Sequence, residues 1–381
     1  MSDGVSFHVE NDVAWVGLSD HGPSVLTRNF AVSLDEALTK VAGNSAIKLV
    51  VLSGTPKGFV RGYSHNNRPS IAEIAEISQV LGRVEEFPIP IVALIPDAAV
   101  NEGLELAMAA HFRIAAATAR FGINHIAKCV EVFPVGNQGL RNLDPVLEFF
   151  RIAKRLPVSV NGGSEPISSR IRKVLFETAE ALLLNGAEPK SIDGVLGSFG
   201  FRQGPPAMRD EVGLELDVVL GQQPATEALI KSGRTGRAQG LGYFRYAKGD
   251  SRPRPDSVVV WSLTSTRERL GVTAQDFSDT DILHLFIGAL ANLGAQLVDQ
   301  EVVQRASDVD VVAVHSIGFP RRKGGPMQAA EQIGLFKIAQ TLDRFAGLAP
   351  ALWTVQPLIN DLIKYGQGFE EMDIPDLEEA S

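Results

Sequence analysis

Cysteine is almost absent from this chain, since only one of its 381 residues, Cys129, is a cysteine. A single cysteine cannot form an intramolecular disulfide, so the fold must rely on a packed core, and Cys129 is expected to be an inert small hydrophobe. The beginning of the chain, MSDGVSFHVENDV, lacks the basic and apolar segments of a secretory signal. These two features predict a cytoplasmic location.

Positive charge is also scarce. The chain has 36 Lys and Arg against 45 Asp and Glu, which gives a net charge of −9 and a pI near 5.4. A broad nucleic-acid interface requires a basic face, so no nucleic-acid partner is expected. A local basic pocket for a phosphorylated ligand is compatible with this charge balance.

Long hydrophobic runs are missing as well. The longest stretch without a formal charge is the 17 residues 282–298, and it contains His284, Asn292 and Gln296. A bilayer span requires about 20 predominantly apolar residues, so this stretch predicts a buried helix and no membrane span. The 7 histidines and the one cysteine show no tight ligand spacing, so no metal site is expected.

The chain does have enough apolar residues to build more than one core. Hydrophobic residues make up 45% of its 381 residues, and single cores stop growing at roughly 250–300 residues, which predicts two or three domains. Short apolar runs at 13–18, 47–52 and 91–95 predict strands of an α/β domain that extends to about residue 140. From Ser168 onward helical spacing dominates, beginning with 171–184. A segment rich in Gly, Pro and basic residues at 232–255 predicts a linker that packs in part through its aromatic residues.

An internal repeat divides the helical part. Asp193, Gly200-Phe201, Gly204-Pro205 and Gly213-Leu214 recur as Asp310, Gly318-Phe319, Gly325-Pro326 and Gly334-Leu335. The Gly-Pro pairs lie 326 − 205 = 121 residues apart, which is the size of a domain. Each copy is therefore predicted to be a helical subdomain.

Three motifs in the first part carry the chemistry. They are F-V-R-G-Y-S-H from Phe59, I-P-D-A-A-V-N-E-G-L-E-L-A from Ile95 and A-R-F-G-I-N-H from Ala119. Over roughly residues 10–141 they resemble the crotonase (enoyl-CoA hydratase/isomerase) superfamily. The resemblance implies a crotonase-like α/β domain of the ββα-spiral type that binds an acyl-CoA thioester. It also implies an oxyanion hole, in which the backbone N–H groups of Tyr63 and Glu102 hold the thioester oxygen as negative charge develops.

The resemblance also implies a pair of acid/base groups. Hydratases of this family use two carboxylates 20 residues apart, and the matching positions here are Glu105 and His125. An imidazole has an unperturbed pKa near 6.5, so it can serve as acid or base near neutrality. The sequence departs from the family at Asn101 and Glu102, which replace a glycine run, and at Ser64, which replaces an Asp. Hydration, retro-aldol cleavage and carbon–carbon hydrolysis of a CoA thioester all remain open.

The second part resembles the C-terminal domains of 3-hydroxyacyl-CoA dehydrogenases, through N-G-A-E-P-K-S-I-D and G-F-R-Q-G-P-P in the first copy and G-F-P-R-R-K-G-G-P-M in the second. The order of the two resemblances is that of the multifunctional fatty-acid-oxidation proteins. Their dinucleotide-binding domain is not found, because no G-x-G-x-x-G occurs in the chain. We therefore expect no cofactor other than the CoA of the substrate, and no dehydrogenase activity from this chain alone.

These observations predict a crotonase-like domain at 1–141, a connecting segment at 142–167, helical domains at 168–231 and 261–381, and a linker at 232–260. The leading functional hypothesis is an enoyl-CoA hydratase-like lyase, either as a homo-oligomer or as a subunit in β-oxidation. The alternatives are a non-catalytic acyl-CoA-binding or scaffolding subunit, and a dehydrogenase remnant that borrows an NAD domain from another chain. His65 and His111 are expected to have packing or surface roles.

Overall fold

The protein is represented by a computed structural model. The structure describes residues 5–18, 27–54, 59–60, 71–95, 102–115, 129–134, 143–152, 155–161, 165–215, 218, 221–250 and 252–372. Its contacts group the chain into two compact units, Met1–Pro166 and Ile167–Ser381. Each unit is described by itself below.

Within its described residues, the first unit contains a seven-stranded sheet whose strands follow one another in chain order. The strands are β1 (Ser6–Glu10), β2 (Val13–Gly17), β3 (Leu49–Ser53), β4 (Ile91–Ile95), β5 (Phe112–Ala115), β6 (Cys129–Pro134) and β7 (Leu156–Ser159). Its helices are α1 (Arg28–Ala42), α2 (Ile71–Glu85), α3 (Glu102–Ala109) and α4 (Leu143–Ile152). β2 to β5 pair in parallel, whereas β1 pairs antiparallel with β2, and β6 pairs antiparallel with β5.

The central strands are apolar throughout because both faces of the sheet are covered. In β3, Val50 and Leu52 face a core shared with α1, α2 and α3, whereas Leu49 and Val51 face a second core shared with α4. Successive side chains of a strand point to opposite faces, so a continuous apolar run is what such a strand requires. The predicted α/β architecture and the three predicted strands are confirmed.

Residues 143–159 differ from their prediction as a connecting segment. Helix α4 buries Val146 and Phe150 in the second core of the sheet, and β7 pairs in parallel with β6. The segment is therefore packed within the first unit. The finer domain boundaries proposed from the sequence stay predictions.

The second unit is helical in all of its regular elements within the described residues, as predicted. Its helices are α5 (Ile167–Leu184), α6 (Pro189–Phe199), α7 (Pro205–Val212), α8 (Pro224–Lys231), α9 (Ser257–Leu270), α10 (Asp279–Asp299), α11 (Ala306–Ser316), α12 (Pro326–Ile333), α13 (Leu335–Phe345), α14 (Pro350–Trp353), α15 (Pro357–Tyr365) and α16 (Phe369–Met372). Short 3₁₀ turns lie at Arg237–Gln239, Arg321–Lys323 and Ala346–Leu348.

Helix α10 is the core helix of this unit, which confirms the prediction of a buried helix at 282–298. Its start is fixed by a capping box in which the Ser278 side chain accepts from the Asp281 amide while Asp281 accepts from the Ser278 amide. Among the described helices it alone has the length and composition to cross a membrane, and 72% of its most apolar window is buried inside the protein.

The internal repeat corresponds to two helix caps. Asp193 of α6 accepts from the amide of Ala207 in α7, and Asp310 of α11 accepts from the amides of Met327 and Gln328 in α12. A Cβ atom on the glycine of either Gly-Pro pair would overlap the capping aspartate, so glycine is required there. Each repeated Asp is therefore an N-cap supplied by the preceding helix.

A second carboxylate extends the repeat beyond what the sequence revealed. Asp210 and Glu331 both lie 5 residues after their Gly-Pro prolines, since 210 − 205 = 331 − 326. Asp210 accepts from the amides of Tyr243 (2.6 Å) and Phe244 (2.9 Å). Glu331 accepts from the amides of Phe369 and Glu370. In both copies the glycine before the aromatic residue lies against the carboxylate, so each copy clamps a later Gly-aromatic segment.

The two repeats pack on one another within this unit. The long helices α5 and α10, each the first helix of its copy, are in contact, and α6 contacts α10 as α11 contacts α5. The Gly-Phe pairs meet in the same way, because the rings of Phe201 and Phe319 lie 5.1 Å apart at 72°. This edge-to-face geometry is the preferred one for buried rings. The repeats thus form one core together.

The predicted linker at 232–255 is largely packed onto the first repeat. Tyr243 and Phe244 are buried, as the sequence indicated. The buried Arg234 donates from Nε to the Gly242 carbonyl (2.7 Å) and forms an ion pair with Asp256 (3.0 Å). The backbone pairing of Arg245 with Arg254 closes the segment into a loop. We call residues 232–256 the clamped loop.

Candidate functional site

The crotonase-like motifs follow the carboxyl ends of two neighbouring strands. β3 and β4 pair in parallel with Ser53 opposite Leu94, so both end at the same edge of the sheet. The first motif begins after β3 at Phe59, and the second motif begins at the end of β4, at Ile95. Ligands of open parallel sheets bind at this edge, because the loops that follow the strands converge there.

A backbone contact brings the two motifs together. Gly103 lies in the first turn of α3, and a Cβ atom at this position would overlap the carbonyl oxygen of Val60. Phe59 and Val60 are themselves buried. The start of α3 therefore lies directly against the chain three residues before Tyr63, the proposed first oxyanion donor.

The predicted oxyanion donors are only partly visible. Glu102 is the first residue of α3, where backbone N–H groups have no partner within the helix and the helix dipole favours negative charge. Tyr63 lies outside the described residues. An oxyanion hole formed by the Tyr63 and Glu102 amides thus stays a prediction, which the contact between Gly103 and Val60 supports.

The predicted acid/base pair has the same status. Glu105 lies one turn into α3, and its side chain is exposed. His125 falls outside the described residues, as do His65, Ser64 and Asn101. The structure therefore does not test whether Glu105 and His125 meet, and their pairing remains a prediction.

His111 has a packing role in the first unit. It is buried, its Nδ1 accepts from the Ile91 amide (3.0 Å), and its Nε2 lies 3.0 Å from the Glu85 carbonyl oxygen. A carbonyl can only accept, so Nε2 carries the proton in the neutral ring. Burial lowers the pKa of His111, which favours this neutral form. The ring connects α2 to β4 and is not a candidate acid or base.

Carboxylates with raised pKa values occur in the second unit, where such groups are candidates for catalysis. Burial raises the pKa of Asp193 to about 8 and that of Asp210 to about 6. Burial also raises the pKa of Glu180, which accepts from the amides of Ala225 and Thr226. Each of these three carboxyl groups accepts from backbone amides at a helix start or in the clamped loop, so we assign them structural roles.

One buried oxygen in this group has no hydrogen-bond partner. Within the described part of the chain, Oδ1 of Asp193 is buried and unsatisfied, whereas both oxygens of Asp310 in the second copy accept amides. The difference follows from the sequence, because Pro206 occupies the position of Met327 and has no N–H to donate. Sequence reasoning identified Asp193 through the repeat but did not anticipate this mismatch.

Metal binding finds no support in the described residues, which contain no cluster of three or more His, Cys, Asp or Glu side chains able to hold an ion. Cys129 is a half-buried cysteine in β6 that forms no disulfide.

Comparison with known proteins identifies the first unit. Residues 9–128 match the family model described as Enoyl-CoA hydratase/isomerase. The chain is 27% identical over 275 residues to the Peroxisomal bifunctional enzyme of Danio rerio, covering 65% of this chain and 38% of that protein. It is 28% identical over 245 residues to the Peroxisomal fatty acid beta-oxidation multifunctional protein AIM1 of Arabidopsis thaliana, covering 59% of this chain and 33% of that protein. The chain thus spans about a third of the length of these relatives.

Solved structures resemble the fold of most of the chain. The dehydrogenase part of multifunctional enzyme 1 from C. elegans aligns with 88% of this chain and 78% of its own, at a TM-score of 0.54 and 18% identity. The 3-hydroxybutyryl-CoA dehydrogenase of Escherichia coli K12 aligns with 88% of this chain and 90% of its own, at a TM-score of 0.54 and 13% identity. At these identities the likeness concerns the fold alone.

These comparisons confirm the predicted resemblance. The chain carries a crotonase-family domain at its N-terminus and is homologous to bifunctional enzymes of fatty-acid oxidation. They also correct one expectation, because the relatives are peroxisomal enzymes and the predicted cytoplasmic location is therefore wrong. A low cysteine content does not distinguish one reducing compartment from another.

Proposed function

We propose that the first unit binds an enoyl-CoA thioester and catalyses addition of water to its double bond. The observation that carries this proposal is the contact of Gly103 with Val60, which places the start of α3 beside the motif that contains Tyr63. Two backbone N–H groups converging on one point are what a thioester oxygen requires when it becomes an enolate.

The proposed reaction proceeds through that enolate. One acid/base group takes a proton from water as the water oxygen bonds to the β-carbon, and the electron pair of the double bond moves onto the thioester oxygen. The Tyr63 and Glu102 amides hold this oxygen, and the second acid/base group then delivers a proton to the α-carbon. Glu105 and His125 are the proposed pair. No cofactor takes part, since CoA enters as part of the substrate.

The side chains that replace glycine at the oxyanion turn are compatible with this arrangement. Backbone amides do the binding, so the replacement of glycine by Asn101 and Glu102 changes the pocket wall without removing a donor. Gly103, whose lack of a Cβ atom permits the approach to Val60, is retained.

The test is the loss of enoyl-thioester absorbance when the full chain is mixed with an α,β-unsaturated acyl-CoA. Glu105→Gln should slow the reaction by roughly 10²-fold or more, as expected when a general acid or base is removed. The control is Glu36→Gln, which removes an exposed carboxylate from α1 in the same unit and should leave the rate unchanged. Equal rates in the parent and Glu105→Gln would remove Glu105 from the mechanism.

A second candidate is an acyl-CoA-binding or scaffolding subunit without turnover, which the exposed position of Glu105 and the altered turn favour. Calorimetric binding of acyl-CoA with no hydration at any chain length would establish it. A third is a dehydrogenase remnant that obtains its NAD domain from another chain, which the fold likeness to two dehydrogenases favours. Co-purification with a nucleotide-binding subunit would support that reading.

The cellular context follows the relatives. We propose that the protein works in β-oxidation in the peroxisome, as the names of its relatives state for them. Assembly as a homo-oligomer or with another β-oxidation subunit is part of this proposal, and light scattering of the purified chain measures it.

A further inference from the structure

The clamped loop lines an open cavity that the proposed hydration does not use. Its volume is about 600 Å³, and residues 237–240 and 246–250 line it. Cavities of about 300–1,000 Å³ are the size range of small-molecule sites. The cavity lies in the second unit, and all of its lining comes from this one loop.

The charge around this cavity is opposite to that of the whole chain. The clamped loop, residues 232–256, contains six basic residues and two acidic residues, Asp250 and Asp256, in a chain of net charge −9. Asp250 forms ion pairs with both Arg252 (2.9 Å) and Arg254 (3.1 Å), so two cations face one anion. The exposed Lys248 at the cavity wall forms no ion pair with any described residue. The loop thus presents excess positive charge to solvent.

The loop is held in place before any ligand arrives. The Tyr246 hydroxyl donates to Asp210 (2.9 Å), and the Tyr246 amide donates to the Gly240 carbonyl (2.8 Å). Gly240 and Gly249 both have φ of +79°, a conformation that favours glycine. The glycines at these positions therefore favour the two turns that border the cavity. A preformed site loses less entropy when it binds.

A further cation and an aromatic ring complete the lining. Arg237 lies at one wall, where its ion pair with Glu211 (3.3 Å) holds a half-exposed guanidinium in place. Tyr246 supplies the ring, anchored at its hydroxyl as described above. Cations together with an aromatic face suit a ligand that carries a phosphate group and a planar base.

We propose that this cavity binds a phosphate-bearing small molecule, with Lys248 and Arg237 on the phosphate. The nucleotide end of CoA carries this chemistry, so the inference rests on the proposed function for the identity of its ligand. Free phosphorylated nucleotides share the same chemistry, so the experiment compares CoA with a free nucleotide as the ligand.

The experiment is calorimetric titration of the full chain with adenosine 3′,5′-bisphosphate, with CoA and with inorganic phosphate. The test variant is Lys248→Glu, and the control is Lys190→Glu, which makes the same charge change at an exposed site on α6 outside the cavity. We expect the bisphosphate Kd to rise about tenfold or more in Lys248→Glu and less than twofold in the control. Inorganic phosphate responding in the same way would show that the phosphate alone is recognised.

Two outcomes would overturn the inference. One is no measurable binding of any of the three probes, and the other is an equal loss of binding in both variants. Hydration of a crotonyl thioester of pantetheine, which has no nucleotide, tests the proposed function separately. Turnover of that substrate without bisphosphate binding defeats only the inference, whereas bisphosphate binding without turnover defeats only the hydratase proposal.

Discussion

The mismatch between the two capping aspartates gives a quantitative prediction. Asp193 and Asp310 perform the same task, but Asp193 retains one amide donor and a buried unsatisfied oxygen, because Pro206 stands where Met327 donates to Asp310 (2.7 Å). Replacing Pro206 by alanine restores an N–H at this position. The substitution should therefore give Asp193 the second bond that Asp310 already has.

The magnitude follows from the charge of the acceptor. A hydrogen bond to a charged group contributes about 1.5–3 kcal/mol and a neutral one about 0.5–1.5 kcal/mol, so the new bond favours the ionised form by about 1–1.5 kcal/mol. That difference corresponds to about one pH unit, so the pKa of Asp193 should fall from about 8 to about 7. The loss of proline packing and rigidity affects stability equally at every pH.

The sign of the pH dependence is set by burial. The native pKa of Asp193, about 8, lies above the unfolded value of 3.8, so the native state holds a proton that the unfolded chain releases between these values. The free energy of unfolding therefore falls by about 1.4 kcal/mol per pH unit as pH rises through this window, and protonation at low pH preserves stability. In Pro206→Ala the native pKa is lower, so this fall in the free energy of unfolding ends about one pH unit lower.

The assay is urea unfolding of the full chain, followed by circular dichroism at 222 nm, at about pH 5.5 and pH 9. The stability of Pro206→Ala relative to the parent should be about 1–1.5 kcal/mol more favourable at the higher pH. In an Asp193→Asn background the same substitution should have one effect at both pH values. A relative stability that does not change with pH in the Asp193 protein would refute the reasoning.

Three further substitutions test other contacts. Gly103→Ala should lower the hydration rate at least about tenfold while circular dichroism stays native, because the added carbon would overlap the Val60 backbone and the start of α3 must move by about 1 Å. The control is Gly82→Ala, whose added carbon meets nothing within 4 Å and which should keep full activity. Gly368→Ala should lower the Tm by about 2–8 °C by displacing the second carboxylate clamp. Gly347→Ala, which also meets open space, should leave the Tm within a degree or so. Arg234→Met should remove the ion pair with the half-buried Asp256 and leave the Gly242 carbonyl without its donor. This should destabilise the helical unit by about 1–3 kcal/mol and expose the clamped loop to trypsin; a digestion pattern like that of the parent would contradict the assigned ion pair.

The sequence predicted three strands of the first unit, at 13–18, 47–52 and 91–95, because their apolar runs are short and end in turn residues. It predicted the buried helix α10 because an uncharged stretch of that length has few alternatives. The connecting segment was harder, since an amphipathic helix followed by a short apolar strand looks the same whether it joins two domains or completes the sheet that precedes it. Only pairing of β7 with β6 distinguishes these possibilities.

The candidate site was predictable as far as motifs reach. The family pattern pointed to Tyr63, Glu102, Glu105 and His125, yet the contact of Gly103 with Val60 depends on backbone positions that no residue pattern displays. The clamps by Asp210 and Glu331 were not predicted from the sequence, for a different reason. The two copies use side chains of different length, and their partner glycines lie at unequal distances, 242 − 205 = 37 and 368 − 326 = 42 residues after the Gly-Pro prolines.

That inequality limits how freely the two copies can exchange parts. The Asp210 side chain is one methylene shorter than that of Glu331, and each carboxylate binds the loop of its own copy. Each loop therefore fits the side-chain length of its own carboxylate. A chimera that moves a loop without its carboxylate would leave two backbone amides without an acceptor or force a side chain into the backbone. The interchangeable module of this half of the protein is therefore the helix together with the loop it holds, and recombination that separates them breaks a matched pair.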